Sequence, residues 1–232
     1  IHFVSNKQAA KRLMQMGEIK ESVFTIGSPD VDIMFSDQLP SLEVAKAYYK
    51  IDYDKYAIVM FHPVTTEIKE MQKYAETFTN SLLHDNHNYI VIFPNNDLGS
   101  QFVIEAYKKL KDNPRFRIFP SLRFEYFLTL LKNSQFIIGN SSAGIREAPY
   151  YGIPIINIGT RQQNRAVHAD IINTDYSESG IKNALSIIDL HKVQNVKDDF
   201  GNGNSNLLFL ECLQKEDIWQ LNHQKQFRDL SN

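Results

Sequence analysis

Gly139-Asn140-Ser141-Ser142-Ala143-Gly144 closes the apolar run Phe136–Gly139 and opens onto Ile145-Arg146-Glu147. A run that stops on glycine, then offers hydroxyls and a second glycine ahead of a helical pattern, reads as a strand-to-helix turn of an α/β domain. The first N–H groups of a helix have no partner within it, so such a turn suits an anion, above all a phosphate. Ser141 and Ser142 add hydroxyl donors, and Gly144 permits close backbone approach. The same residues equally describe a plain serine N-cap with a packing glycine.

Outward from this turn, short apolar runs alternate with helix-length amphipathic stretches. The strands expected are Ala57–Phe61, Tyr89–Phe93, Phe116–Phe119, Phe136–Gly139 and Ile153–Ile158. Being apolar throughout rather than alternating, they fit a parallel sheet covered on both faces. Ile68, Met71, Ala75, Phe78 and Leu82 recur at spacings of three and four, one face of a helix starting after a Thr65-Thr66 cap. Further helices are expected near Gln101–Lys111, Phe124–Lys132, Ile145–Tyr150 and Ser179–Ile188. The first residues differ: a strand, a helix over Lys7–Met16, a strand at Val23–Ile26, then Gly27-Ser28-Pro29-Asp30, where a domain junction is placed. An amphipathic helix is expected again after Gly201-Asn202-Gly203-Asn204.

Composition narrows the class. The 232 residues carry a net charge of −2 with Lys and Arg scattered, unlike a nucleic-acid binder, and no apolar run approaches the ~20 residues of a membrane span. A single cysteine, Cys212, excludes an internal disulfide and fits a cytoplasmic location. The chain starts at Ile1 and runs directly into a strand, which suggests a piece of a longer protein.

In a parallel sheet, ligands bind beyond the carboxyl ends of the strands. Four loops fall there: His62-Pro63-Val64-Thr65-Thr66, Pro94–Ser100, Gly139–Glu147 and Gly159-Thr160-Arg161. Glu147 suits the hydroxyls of a ribose, or is simply a favourable charge near a helix start. Arg161 suits a phosphate, or is a surface arginine; Asn95 and Asp97 suit hydroxyls, or an Asx turn. His62, directly after a strand and before Pro63, points to the cleft as acid, base or partner of a leaving diphosphate. His84 and His87 mimic a metal-ligand spacing, but without a third ligand they read as solvated, and no metal site is expected. Walker A and G-x-G-x-x-G patterns are absent, and a serine-hydrolase elbow would need glycine where Asn140 stands.

Taken together, His62–Thr66, Pro94–Ser100, Gly139–Glu147, Gly152–Gln162 and Gly201–Asn204, in this order, resemble the hydrolysing UDP-N-acetylglucosamine 2-epimerases from about His2 to about Leu213. The resemblance implies a GT-B-type two-domain fold, this chain being mainly the C-terminal Rossmann-like domain. Residues 1–30 would end the N-terminal domain, 31–55 connect the two, 56–200 form the nucleotide-binding domain, and 201–232 a final helix and tail. It also implies a UDP-sugar substrate, no cofactor, no nucleic-acid or membrane partner, and a homodimer or homotetramer. The missing N-terminal half of the same enzyme would supply part of the acid–base carboxylates and a portion of the diphosphate contacts, so these 232 residues alone should be inactive.

By motif match, Ser141 and Ser142 would hold the diphosphate with Gly144 beside them, Glu147 the ribose, and Arg161 the phosphates. Asn95 would contact substrate with Asp97 near, Leu122 would meet the uracil through its backbone, and His62 would lie by the sugar and leaving group. Gln101 stands where some relatives carry lysine. The reaction implied is anti-elimination of UDP to a 2-acetamidoglucal, then addition of water to give N-acetylmannosamine for sialic-acid-type biosynthesis. Alternatives are epimerisation of UDP-N,N'-diacetylbacillosamine, a non-hydrolysing epimerase, a GT-B UDP-sugar glycosyltransferase, or a nucleotide-binding module without catalysis.

Overall fold

A computed structural model describes residues 1–162, 171–191, 193 and 200–221, so the end of the expected C-terminal tail, 222–232, lies outside the described residues. The chain divides into two compact units, 1–39 with 198–232, and 40–197. The connection expected over 31–55 is therefore shared out, with its first nine residues in one unit and the remainder in the other.

In the first unit, β1 (His2–Val4) pairs in parallel with β2 (Val23–Thr25) through α1 (Lys7–Gln15). Asn6 starts α1, its Oδ1 accepting from Ala9 N at 2.8 Å. The helix α2 (Pro29–Met34) follows, with Pro29 in its first turn where no N–H is needed.

The second unit begins with α3 (Leu42–Tyr49) and runs β3 (Ala57–Met60), α4 (Met71–His84), β4 (Tyr89–Ile92), α5 (Ser100–Tyr107), β5 (Phe116–Phe119), α6 (Phe124–Lys132), β6 (Ile137–Gly139), α7 (Ala143–Arg146), β7 (Ile155–Ile158), β8 (Ile171–Thr174) and α8 (Glu178–Ile188). Its six strands are all parallel, in the order β5-β4-β3-β6-β7-β8. The chain builds outward from β3 to one side, then returns to β6 on the other. This reversal opens a crevice between the carboxyl ends of β3 and β6, the switch point where doubly wound sheets bind ligands.

The apolar strands are explained by coverage of both faces. Val59, Phe61, Val91 and Ile138 pack with Phe78 and Leu82 of α4, Val103 of α5 and Ile181 of α8. Ile58, Ile90, Ile137 and Ile155 form the alternate row and are equally buried. Each such side chain contributes roughly 1.5–3 kcal/mol on burial.

Four expectations change in the structure. Residues Thr65–Glu70 form a 3₁₀ turn without a threonine side-chain cap, and α4 starts only at Met71. The helix expected over Ile145–Tyr150 is two short pieces, α7 and a 3₁₀ turn Ala148–Tyr151, because Pro149 lacks the N–H to continue α7. The strand placed at Ile153–Ile158 begins at Ile155. β8 is an addition, half-exposed at the edge and mixed in polarity, so it carried no strand pattern.

Back in the first unit, α9 (Ser205–Leu213) is followed by a 3₁₀ turn, Glu216–Gln220. Asp32 of α2 caps α9, its carboxylate accepting from Ser205 N at 2.9 Å, Ser205 Oγ at 2.7 Å and Asn206 N at 2.9 Å. Desolvation raises the Asp32 pKa, but these bonds outweigh it and hold the group below its ordinary value. Gly27 and Gly201 meet backbone to backbone, since a Cβ on Gly201 would lie 2.9 Å from Gly27 Cα.

Candidate nucleotide-sugar site

At the switch point, within the second unit alone, lies a cleft of about 640 Å³, a size suited to a small-molecule ligand. Its lining includes His62 after β3, Asn95 after β4, Ser121 and Leu122 after β5, Ser141, Ser142 and Glu147 after β6, and Arg161 after β7. Residues up to 99 positions apart are thus brought to one edge by five parallel strands.

Gly139 makes the crevice possible. It holds φ = +139°, and a Cβ there would fall 2.0 Å from Met60 O. Only glycine lets β6 approach β3 so closely as it turns. Asn140, wholly buried, then uses the proximity: its Oδ1 accepts from His62 N at 2.6 Å and its Nδ2 donates to His62 O at 2.8 Å. The Asn140 carbonyl accepts from Arg161 Nη1 at 3.2 Å and from the buried Gln162 Nε2 at 2.8 Å. Neither Asn140 nor Gln162 was singled out from sequence. The only signal for Asn140 was negative, an amide where a hydrolase elbow would need glycine.

His62 as a whole residue is 4% exposed. Desolvation, followed by the Arg161 charge, lowers its pKa to about 4, with Asp97 opposing. The ring is therefore neutral at pH 7. Asn95 N donates to Nδ1 at 3.2 Å, which makes Nδ1 the acceptor and puts the single proton on Nε2. At the cleft His62 is a neutral hydrogen-bond donor, and the positive charge belongs to Arg161. Asp97, outside the cleft lining, stands 3.9 Å from the Arg161 guanidinium.

On the phosphate turn, Ser141 Oγ accepts from Ala143 N at 3.3 Å, while Ser142 makes no side-chain cap bond to the helix. The Ser142 hydroxyl is thus not spent as an ordinary N-cap. With only four residues, α7 contributes a small dipole at this turn. Gly144 departs from expectation: it packs against the sheet, where a Cβ would lie 3.2 Å from Ile155 Cγ2, and it does not line the cleft. Glu147 does line it, and its charge together with burial pushes the Tyr151 pKa up to about 12, burial being the larger cause.

A latch holds the adjoining loop. Glu67 accepts from Thr160 Oγ1 and, at 2.8 Å, from Tyr176 OH, and the Tyr176 ring stacks on Tyr74 at 3.9 Å. Gly159, at φ = +72°, sits where a Cβ would overlap the Tyr176 ring.

Of the two histidines expected to be solvated, His84 is exposed, with Nδ1 2.8 Å from Asn80 O. His87 is not. Its side chain is 14% exposed, with Nδ1 2.7 Å from Asp85 and Nε2 3.1 Å from Asp189, at the opposite edge of the sheet. Asp85 also accepts from Tyr89 OH at 2.6 Å, and Arg115 donates to the Asp85, His87 and Leu83 carbonyls. Among the described residues no group of three or more His, Cys, Asp or Glu side chains is placed to hold a metal ion, and no helix is long and apolar enough to cross a membrane.

Comparison with known proteins places this geometry in a lineage. The family described as UDP-N-acetylglucosamine 2-epimerase matches residues 1–214. The chain is similar to a Neisseria meningitidis serogroup B protein named UDP-N-acetylglucosamine 2-epimerase, 46% identical over 100% of this chain and 62% of that protein. It is also similar to the Legionella pneumophila UDP-N,N'-diacetylbacillosamine 2-epimerase (hydrolyzing), 30% identical over 79% of this chain and 49% of that protein. The solved Methanocaldococcus jannaschii UDP-GlcNAc 2-epimerase in complex with UDP-GlcNAc and UDP shares its fold, with a TM-score of 0.69 at 23% identity, covering 91% of this chain and 60% of that one. The chain thus spans less than two thirds of the length of these relatives.

Proposed function

The chain belongs to the UDP-N-acetylglucosamine 2-epimerase family, and from that premise we propose that its cleft holds the UDP moiety of a UDP-N-acetylamino sugar during hydrolytic 2-epimerisation. The observation that carries this reading is the convergence of Ser141, Ser142, Glu147, Arg161, Asn95 and His62 on one cleft at the switch point. Ser141, Ser142 and Arg161 would bind the diphosphate, Glu147 the ribose hydroxyls, and the backbone at Ser121-Leu122 the uracil edge. Phe124 and Phe127 give that end of the cleft an apolar wall.

The reaction asks for charge stabilisation where the C1–O bond breaks. Negative charge gathers on the departing diphosphate, so donors fixed in advance around it stabilise the transition state more than the ground state. His62 would present Nε2–H to that oxygen. Negative charge growing on the departing oxygen would strengthen that hydrogen bond as the C1–O bond breaks. The proton on sugar C2 would go to a carboxylate from the remainder of the protein, leaving a 2-acetamidoglucal; water added across the double bond would give N-acetylmannosamine and free UDP.

A second sugar, UDP-N,N'-diacetylbacillosamine, is favoured by the Legionella relative; the higher identity to the Neisseria protein favours UDP-N-acetylglucosamine. The test is to incubate the full-length protein with each nucleotide sugar and follow products by NMR. Free N-acetylmannosamine with UDP supports the proposal. UDP-N-acetylmannosamine as the sole product would place the protein among non-hydrolysing epimerases, and no turnover with no UDP binding in calorimetry would overturn the reading.

A further inference from the structure

We infer that Asn140 is a positioning residue, whose amide grips the His62 peptide on both sides and thereby aims the imidazole Nε2–H into the cleft. The inference rests on the proposed function for its kinetic consequence, though its geometric content does not depend on it. Asn140 is wholly buried and does not line the cleft, so it touches no ligand there. Its two side-chain bonds, at 2.6 and 2.8 Å, satisfy the His62 N–H and C=O together. No neighbouring strand can do this, because β3 ends at Met60 and β6 at Gly139, two positions before the histidine and one before the asparagine.

An amide alone meets the requirement. Pairing with a peptide needs one acceptor and one donor at the same spacing, and asparagine carries both on the shortest stem. Leucine, branched at the same carbon but without polar atoms, would leave a buried N–H and C=O unpaired. A carboxylate would set a second acceptor against the His62 carbonyl. The backbone of Asn140 extends the device, for its carbonyl holds Arg161 and Gln162. One residue therefore ties the loops after β3, β6 and β7. The ring itself is fixed at its other end by Asn95 N on Nδ1, so displacing the His62 peptide would break that bond and release the tautomer.

The experiment uses the full-length protein with Asn140→Leu and Asn140→Asp. Misplacing a catalytic group by an ångström costs on the order of 100-fold, so Asn140→Leu should lower kcat by about that factor, while the Kd for UDP, held by Ser141, Ser142, Glu147 and Arg161, changes less than about threefold because the main-chain carbonyl that holds Arg161 is kept. In Asn140→Asp the buried carboxyl regains a donor when protonated, and its pKa is raised by burial. Its kcat relative to wild type should therefore rise severalfold as pH falls from about 8 to about 6, a rescue that packing alone does not give. The ¹H–¹⁵N spectrum of the His62 ring, recorded without ligand, should show the Nε2–H tautomer in wild type and its loss in Asn140→Leu.

Equal losses of kcat and UDP affinity at every pH, or a His62 tautomer unchanged in both variants, would overturn the inference. Should Asn140→Leu not fold, the pH-dependent rescue and ring spectrum of Asn140→Asp decide it. Failure of wild type to bind UDP would sink the proposed function and leave the His62 spectrum as the arbiter of positioning.

Discussion

Two histidines, one buried and one half-buried, mark opposite edges of one parallel sheet, and folding shifts their pKa values in opposite directions. At the carboxyl edge, His62 is desolvated beside Arg161 and accepts a backbone N–H, so its pKa falls to about 4. At the amino edge, the bond to Asp85 is the largest influence on His87; with the Asp189 contact it outweighs desolvation, and the pKa rises. The first edge holds a neutral donor facing an open cleft, the second an imidazole held between the carboxylates of Asp85 and Asp189. Burial lowers the pKa of both; what separates the two histidines is that carboxylates stand at the ring nitrogens of His87 and outweigh it there.

The largest expected effect tests the functional edge. His62→Ala should lower kcat by ~10²–10³-fold, the range of a lost acid–base or donor group, with UDP affinity nearly unchanged in calorimetry. Wild-type kcat would remove His62 from the chemistry and dissolve the contrast.

Gly139→Ala comes next. A Cβ 2.0 Å from Met60 O at positive φ must push β6 away from β3, and a loss of roughly 3–5 kcal/mol in denaturant unfolding is expected, the range of severe core strain. A loss below about 0.5 kcal/mol, the range of surface changes, would show that the crevice tolerates a wider spacing.

Ser142→Ala should weaken UDP binding by about tenfold, the weight of one hydrogen bond to a charged group. Because Ser142 makes no side-chain cap bond, melting temperature should hardly move. Lost stability with unchanged affinity would return the residue to a structural role.

The smallest effect belongs to the amino edge. Because folding raises the His87 pKa, its contribution is complete below the unfolded value near 6.5 and is lost as pH rises through the folded pKa. Asp85 runs the other way. Desolvation raises its pKa, but the bonds from His87 and Tyr89 prevail and hold it at about 2, so its contribution is present above the unfolded value of 3.8 and fades as pH falls through about 2. The stability gap between wild type and His87→Gln, about 1 kcal/mol after solvent screening, should therefore be widest near pH 5 and narrow toward pH 9 in thermal melts, with kcat unaffected. A gap constant with pH would make His87 a packing residue.

Much of this was legible in order along the chain. The apolar runs Ala57–Met60, Tyr89–Ile92, Phe116–Phe119 and Ile137–Gly139 announce strands because strands buried on both faces must be apolar throughout. Loops after such strands share one edge by topology alone, which is how His62, Asn95, Ser141, Ser142, Glu147 and Arg161 group from sequence, whereas Leu122 enters only through the family resemblance. The sequence by itself thus determined the architecture and the edge that holds the cleft.

Tertiary structure decided which atoms meet. Gly144 looked like a ligand-facing glycine and is a packing one, because the direction of its missing Cβ depends on how α7 lies on Ile137 and Ile155. Asn140 looked like a flaw in an unrelated motif and is the clamp on a histidine 78 positions away. His87 looked solvated until a carboxylate 102 positions downstream came within 3.1 Å of it. Local pattern reports burial and backbone preference, which each residue expresses in its own neighbourhood. Hydrogen-bond partners and pKa shifts are pairwise properties of distant segments, and they exist only once the sheet has brought those segments together.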